Sequence, residues 1–117
     1  MGLTELIVKT LEDKKAQDIS VHKAPEGHMT DEYVICTGTS DTHIRTLNES
    51  LKKSFRDNRI DLLYFSDRNI SPEWIVLDAG EVIIHIMTEE KRSHYELEDL
   101  WEEYRAEEEG VSNVRDK

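Results

Sequence analysis

The chain has 117 residues, of which 37% are hydrophobic and 35% charged, and its net charge is −11. That length holds one domain with one modest core, and the acidic balance argues against direct nucleic-acid binding while favouring a basic protein partner. A single cysteine, Cys36, excludes an internal disulfide and a CxxC zinc site, and no apolar run approaches the ~18 residues of a membrane span, so the expectation is a cytoplasmic protein without a signal peptide.

Leu3, Leu6, Ile7 and Leu11 recur at helical spacing and predict a first helix over residues 3–15. Ile19 to Lys23 alternates as a first strand, and Pro25, Gly27 and Asp31 mark a turn. Tyr33 to Thr37 reads as a more buried strand in which Cys36 acts as a small hydrophobe. Gly38-Thr39-Ser40 ends that strand, and Ser40 or Thr39 can cap a helix whose apolar stripe is Ile44, Leu47, Leu51 and Phe55. Lys52, Lys53, Arg56 and Arg59 crowd its last turns, where positive charge suits the helix dipole. A short strand, Leu62 to Phe65, and a loop over Ser66 to Pro72 come next.

Two apolar runs, Trp74 to Leu77 and Val82 to Met87, then flank Asp78-Ala79-Gly80-Glu81. Trp, Ile and Val dominate the runs and Gly80 permits a reversal, so a tight hairpin is expected. Leu97, Leu100, Trp101 and Tyr104 predict a last amphipathic helix. Between Glu89 and Lys117 stand eleven acidic and five basic residues, a net of −6. The pattern supports one domain over residues 1–105 and a disordered acidic tail over 106–117. A mixed β-sheet of about five strands flanked by helices, an α/β fold, is the simplest packing. The crossover through residues 40–58 should make its flanking strands parallel.

Few catalytic signals are present. Thr37-Gly38-Thr39-Ser40 could cradle a phosphate, but the Walker lysine and a GxGxxG run are missing; the alternative is a strand exit and helix cap. A nucleotidyltransferase would need paired carboxylates for Mg²⁺, and Asp78 stands alone on its strand. The histidines at 22, 28, 43, 85 and 94 form neither HxxxH nor HExxH. Ser40, His85 and Asp78 lack a GxSxG elbow. No metal or other cofactor is expected. Asp78 and His85 nevertheless stand in apolar strands, where a polar group is either internally bonded or reserved for a ligand. The bonded reading is a polar pair fixing the hairpin, provided the register puts both on one face.

Several blocks together resemble the ribosomal silencing factor (Iojap/RsfS) family. They are Lys15-Ala16-Gln17-Asp18-Ile19, Val34 to Ser40 with His43, Trp74 to Asp78, Gly80, Val82 to Ile86, Arg92, Tyr95, Leu97-Glu98 and Leu100-Trp101. They cover about residues 3–104 in family order, and the chain departs from the pattern at Ser66 to Asn69, Ala79 and Glu81. The resemblance implies a nucleotidyltransferase-like α/β fold without established catalysis. It implies binding to large-subunit ribosomal protein fourteen, steric blocking of subunit joining when nutrients are scarce, and frequent homodimers. On that basis the interface candidates are Trp74, Asp78, His85, Arg92 and Tyr95, with Trp74 and Tyr95 supplying apolar contact and Asp78 and Arg92 charge-assisted hydrogen bonds. Leu97 and Trp101 are assigned to the core. A nucleotide- or phosphate-binding enzyme using Gly38 to Ser40 is the alternative.

Overall fold

The structure, a computed structural model, describes residues 2–27, 29–65 and 73–94. Helix α1 (Leu3–Asp13) starts where the Gly2 N–H donates to the Glu5 carboxylate, and it buries Ile7 and Leu11. It ends on Lys15 in the left-handed region (φ 65°), with Lys15 N–H donating to Glu12 O and Ala16 N–H to Leu11 O. That paired reversal satisfies the last carbonyls of the helix. Strand β1 (Gln17–Lys23) follows with an irregularity between Gln17 and Ser20, where Asp18 has φ 47°. Strand β2 (Glu32–Gly38) is almost wholly buried.

Helix α2 (Asp41–Asp57) is capped by Ser40, whose hydroxyl accepts from His43 N–H at 3.1 Å. Ile44, Leu47, Leu51 and Phe55 form its buried stripe, as their spacing predicts. The helix packs tightly onto the end of β2. A Cβ on Gly38 would fall 2.5 Å from Ile44 Cγ1, so only glycine fits there. The end of α2 repeats the device of α1: Arg59 is left-handed (φ 59°), and Ile60 N–H donates to Phe55 O.

Strand β3 is only Tyr64–Phe65, shorter than the run from Leu62 suggested. Leu62 packs into the main core while Leu63 is exposed to solvent, and the first half of the run is tied to β4 through Leu63 N–H donating to Asp78 O at 2.7 Å. Strands β4 (Trp74–Asp78) and β5 (Val82–Thr88) form the expected antiparallel hairpin. Its turn closes through Ala79 N–H to Val82 O and Gly80 N–H to Asp78 Oδ1, and Gly80 has φ +89°. The nearest atom to a Cβ there is Leu63 Cδ1 at 3.7 Å, so a methyl fits and only the backbone resists it. Gly80→Ala is expected to cost about 1–2 kcal/mol. In urea unfolding it should lower the midpoint without changing the slope, and an unshifted midpoint would contradict the turn.

Helix α3 (Glu89–His94) was not anticipated; the last helix was expected further on, in a region outside the described residues. Thr88 caps it, accepting from Lys91 N–H at 3.2 Å. Thr88-Glu89-Glu90 is an ordinary helix-start signal, which the strand reading through Met87 obscured. The supposed acidic tail likewise lies outside the described residues.

The sheet order is β1-β2-β5-β4-β3. Among the described residues only β2 and β5 pair in parallel; the other neighbours are antiparallel. The crossover through α2 therefore does leave β2 and β3 pointing the same way, with β5 and β4 inserted between them. On one face Val34, Cys36, Ile75, Leu77, Val82, Ile84 and Ile86 pack beneath the stripes of α1 and α2 in the main core. The opposite face carries Tyr33, Ile35, Trp74, Val76, Ile83 and Met87 in a second cluster. Near-continuous apolar strands are what a sheet buried on both faces requires.

Candidate functional site

The second face has a different chemistry from the first. Registers place Thr37, Met87 and Trp74 in one row, Ile35, His85 and Val76 in the next, and Tyr33, Ile83, Asp78 and Tyr64 in a third. Ser20 and His22 of β1 extend the last two rows. Polar and aromatic groups are thus gathered on the side away from α1 and α2. Trp74, Asp78 and His85 share this face, and Arg92 reaches it from α3. Tyr95, the fifth candidate, lies outside the described residues, as do Leu97, Trp101 and the Ser66 to Asn69 departure.

His85 occupies the centre and is 0% exposed. The Trp74 indole N–H donates to His85 Nδ1 at 3.0 Å. The accepting nitrogen cannot carry the proton, so the ring hydrogen sits on Nε2, which has no hydrogen-bond partner among the described residues. Tyr33 stacks on the imidazole at 5.8 Å with an interplanar angle of 12°. Burial pushes the imidazole down to about 3, so it is neutral near pH 7. It makes a poor proton shuttle but a firm acceptor for the indole. The polar pair is therefore Trp74 with His85: the register sets Val76 opposite His85, with Trp74 and Asp78 each two residues away on the same face, and it is the indole that bonds the imidazole. There Asp78 holds Gly80 through its carboxylate at 2.8 Å.

Trp74 is 8% exposed, so most of its indole is packing against the face. Arg92 is only half-buried. Its guanidinium donates to the Asp18 carbonyl, to Thr37 Oγ1 at 3.0 Å and to Ser20 Oγ at 3.2 Å. Three acceptors on two strands use the forked geometry that lysine lacks. This clamp ties α3 to the irregular start of β1, and spacing alone could not reveal it.

The loop after β2 is occupied by its own side chains. Thr39 N–H donates to His43 Nδ1 at 2.9 Å, and His43 Nε2 faces the Lys14 carbonyl at 2.8 Å. His43 thereby bridges the ends of α1 and β2, a role that the scattered positions of the histidines concealed. With His43 N–H on Ser40 as well, the loop behaves as a strand exit and helix cap. Cys36 lies on the helix-side face, where burial pushes its thiol up to about 12 despite the nearby Arg92. It is not poised as a nucleophile. Ala79 packs against that same core, so its departure from the family pattern falls away from the polar face. Among the described residues no cluster of His, Cys, Asp and Glu is placed to hold a metal, and no helix is long and apolar enough to cross a membrane.

Comparison with known proteins places this geometry in a family. The sequence model of the family described as "Ribosomal silencing factor during starvation" matches residues 2–117. A Haemophilus influenzae protein named "Ribosomal silencing factor RsfS" is 35% identical over 103 residues, covering 86% of this chain and 99% of the relative. A mouse protein named "Mitochondrial assembly of ribosomal large subunit protein 1" is 34% identical over 83% of this chain and 44% of its own length. A crystal structure of a Chromobacterium violaceum protein superposes with a TM-score of 0.75 at 27% identity, covering 86% of this chain and 87% of that one. One from Bacillus halodurans gives the same TM-score and identity over 85% and 92%.

Proposed function

The chain belongs to the ribosomal silencing factor family, and we propose that it represses translation in the cytoplasm by binding large-subunit ribosomal protein fourteen and blocking the approach of the small subunit. The observation that carries this reading is the assembly of Trp74, Asp78, His85 and Arg92 on the sheet face opposite α1 and α2. A net charge of −11 complements a basic ribosomal protein and speeds the encounter. In this reading Trp74 presents its exposed rim, Arg92 borders it and Asp78 anchors the hairpin turn, while Tyr95 is an interface candidate by family resemblance alone. His85, being enclosed, acts on the partner through the indole it holds. The action is occlusion, so no bond is made or broken.

The test is sedimentation with isolated large subunits, followed by addition of small subunits. The chain is expected to travel with the large subunit and to deplete joined ribosomes in proportion to occupancy. Undiminished joining at saturation would overturn the reading.

A further inference from the structure

The charge of the molecule is unevenly placed. Between residues 51 and 60 the cations Lys52, Lys53, Arg56 and Arg59 face a single carboxylate, Asp57. Lys53 takes that carboxylate at 2.8 Å. Lys52, Arg56 and Arg59 make no ion pair among the described residues, in a chain with 26 acidic side chains. Lys52 and Arg56 are spaced i, i+4 on α2 and so share one face, and Arg59 follows two residues beyond the helix end. Like charges at i, i+4 repel and destabilise a helix, and the dipole at its C-terminus offsets this only in the last turn. Folding alone therefore gains little from the stripe.

Beside it runs the β3 edge. Lys52 Nζ lies 4.1 Å from the centre of the Phe65 ring, so helix and edge are one surface. Phe65 is 52% exposed and Leu63 is 71% exposed. Unpaired cations interleaved with an exposed aromatic suit a nucleic-acid backbone, where cations meet phosphates and the ring meets sugar or base. A peptide adding to the edge is disfavoured, because a strand of two residues is a poor template.

We propose that Lys52, Arg56 and Arg59, with Phe65 and Leu63, contact the phosphate backbone of ribosomal RNA when the chain sits on the large subunit. The inference rests on the function proposed above and adds a second anchor to it. Overall acidity gave the opposite expectation; the local sign decides, because screening confines each charge to about 8–10 Å at physiological salt. The stripe also orients the molecule, since the remaining surface is repelled by RNA.

The experiment measures binding of the full chain to isolated large subunits across a salt series, and separately to the purified ribosomal protein. The triple variant Lys52→Gln, Arg56→Gln, Arg59→Gln is compared with a control, Lys9→Gln, Lys14→Gln, Lys23→Gln, that removes equal charge elsewhere. The stripe variant should lose about tenfold or more in subunit affinity, and its slope of log affinity against log salt should flatten by about two to three. Its affinity for the isolated ribosomal protein should be unchanged, and the control should lose much less. Arg59→Gly separates binding from folding, because glycine suits the left-handed position: it should weaken subunit binding in a chain at least as stable. Equal affinity and slope for wild type and stripe variant would overturn the proposal. An equal loss toward the isolated protein would overturn it too, by assigning the stripe to a protein contact. Absence of wild-type binding to subunits would instead sink the parent reading, and this inference with it.

Discussion

Trp74→Ala is expected to be the most damaging single change in the described molecule, lowering stability by about 3–5 kcal/mol. Removing the indole takes a large side chain out of the second cluster and strips His85 Nδ1 of its donor. An acceptor left buried without a partner adds on the order of 1–3 kcal/mol. Domains of this kind hold about 5–15 kcal/mol in total, so the variant should stand close to its unfolding threshold. Urea denaturation measures the loss, and one under about 1.5 kcal/mol would show that the indole is not packed as described. Trp74→Phe keeps most of the ring and removes the donor, so it should cost only the hydrogen-bond part. Combining it with His85→Leu should recover some of that, because both partners are then apolar. Partner affinity must be read on variants shown to be folded. There Trp74→Ala should weaken binding to the ribosomal protein by about 30-fold or more if the exposed rim is a hot spot. Full affinity in a folded Trp74→Ala chain would remove Trp74 from the interface.

The elements that announce themselves locally were legible in the sequence. Ile44, Leu47, Leu51 and Phe55 could form only a helical stripe, and Gly80 between two apolar runs could form only a hairpin. What stayed hidden depends on neighbours distant along the chain. Nothing local says that β5 pairs with β2 across some fifty residues, or that Leu62 turns inward while Leu63 does not. The site shows the same division. Asp78 and His85 stood out as polar positions in apolar strands, but the identity of the polar pair hung on register. A slip of one residue would turn the whole strand over. With Val76 opposite His85, Trp74 and Asp78 stand equally far along the strand; the indole bonds the imidazole, while Asp78 accepts from Gly80 N–H in the turn. The Arg92 clamp was visible only as part of a family resemblance, since its acceptors lie on β1 and β2.

His85 should also make the fold acid-sensitive. Its imidazole has an ordinary value of 6.5 and is pushed down to about 3 by burial. Between those limits the unfolded chain binds the proton and the folded chain does not, so stability rises with pH. The contribution is fully present above about 6.5 and is lost progressively as pH falls toward 3, with a slope of up to about 1.4 kcal/mol per pH unit. From pH 7 to pH 5 the loss should reach about 2 kcal/mol. Urea midpoints at the two values measure it, and the Trp74→Phe/His85→Leu variant subtracts every other titrating group. The double variant should be clearly flatter over that range; an equal drop in both chains would mean that His85 accepts its proton without unfolding. Near neutrality the imidazole stays uncharged, which keeps Nδ1 available to the indole. Affinity for the ribosomal protein should accordingly show no histidine-like titration at His85 between pH 6.5 and 8, because the imidazole that holds Trp74 in place is already neutral throughout that range.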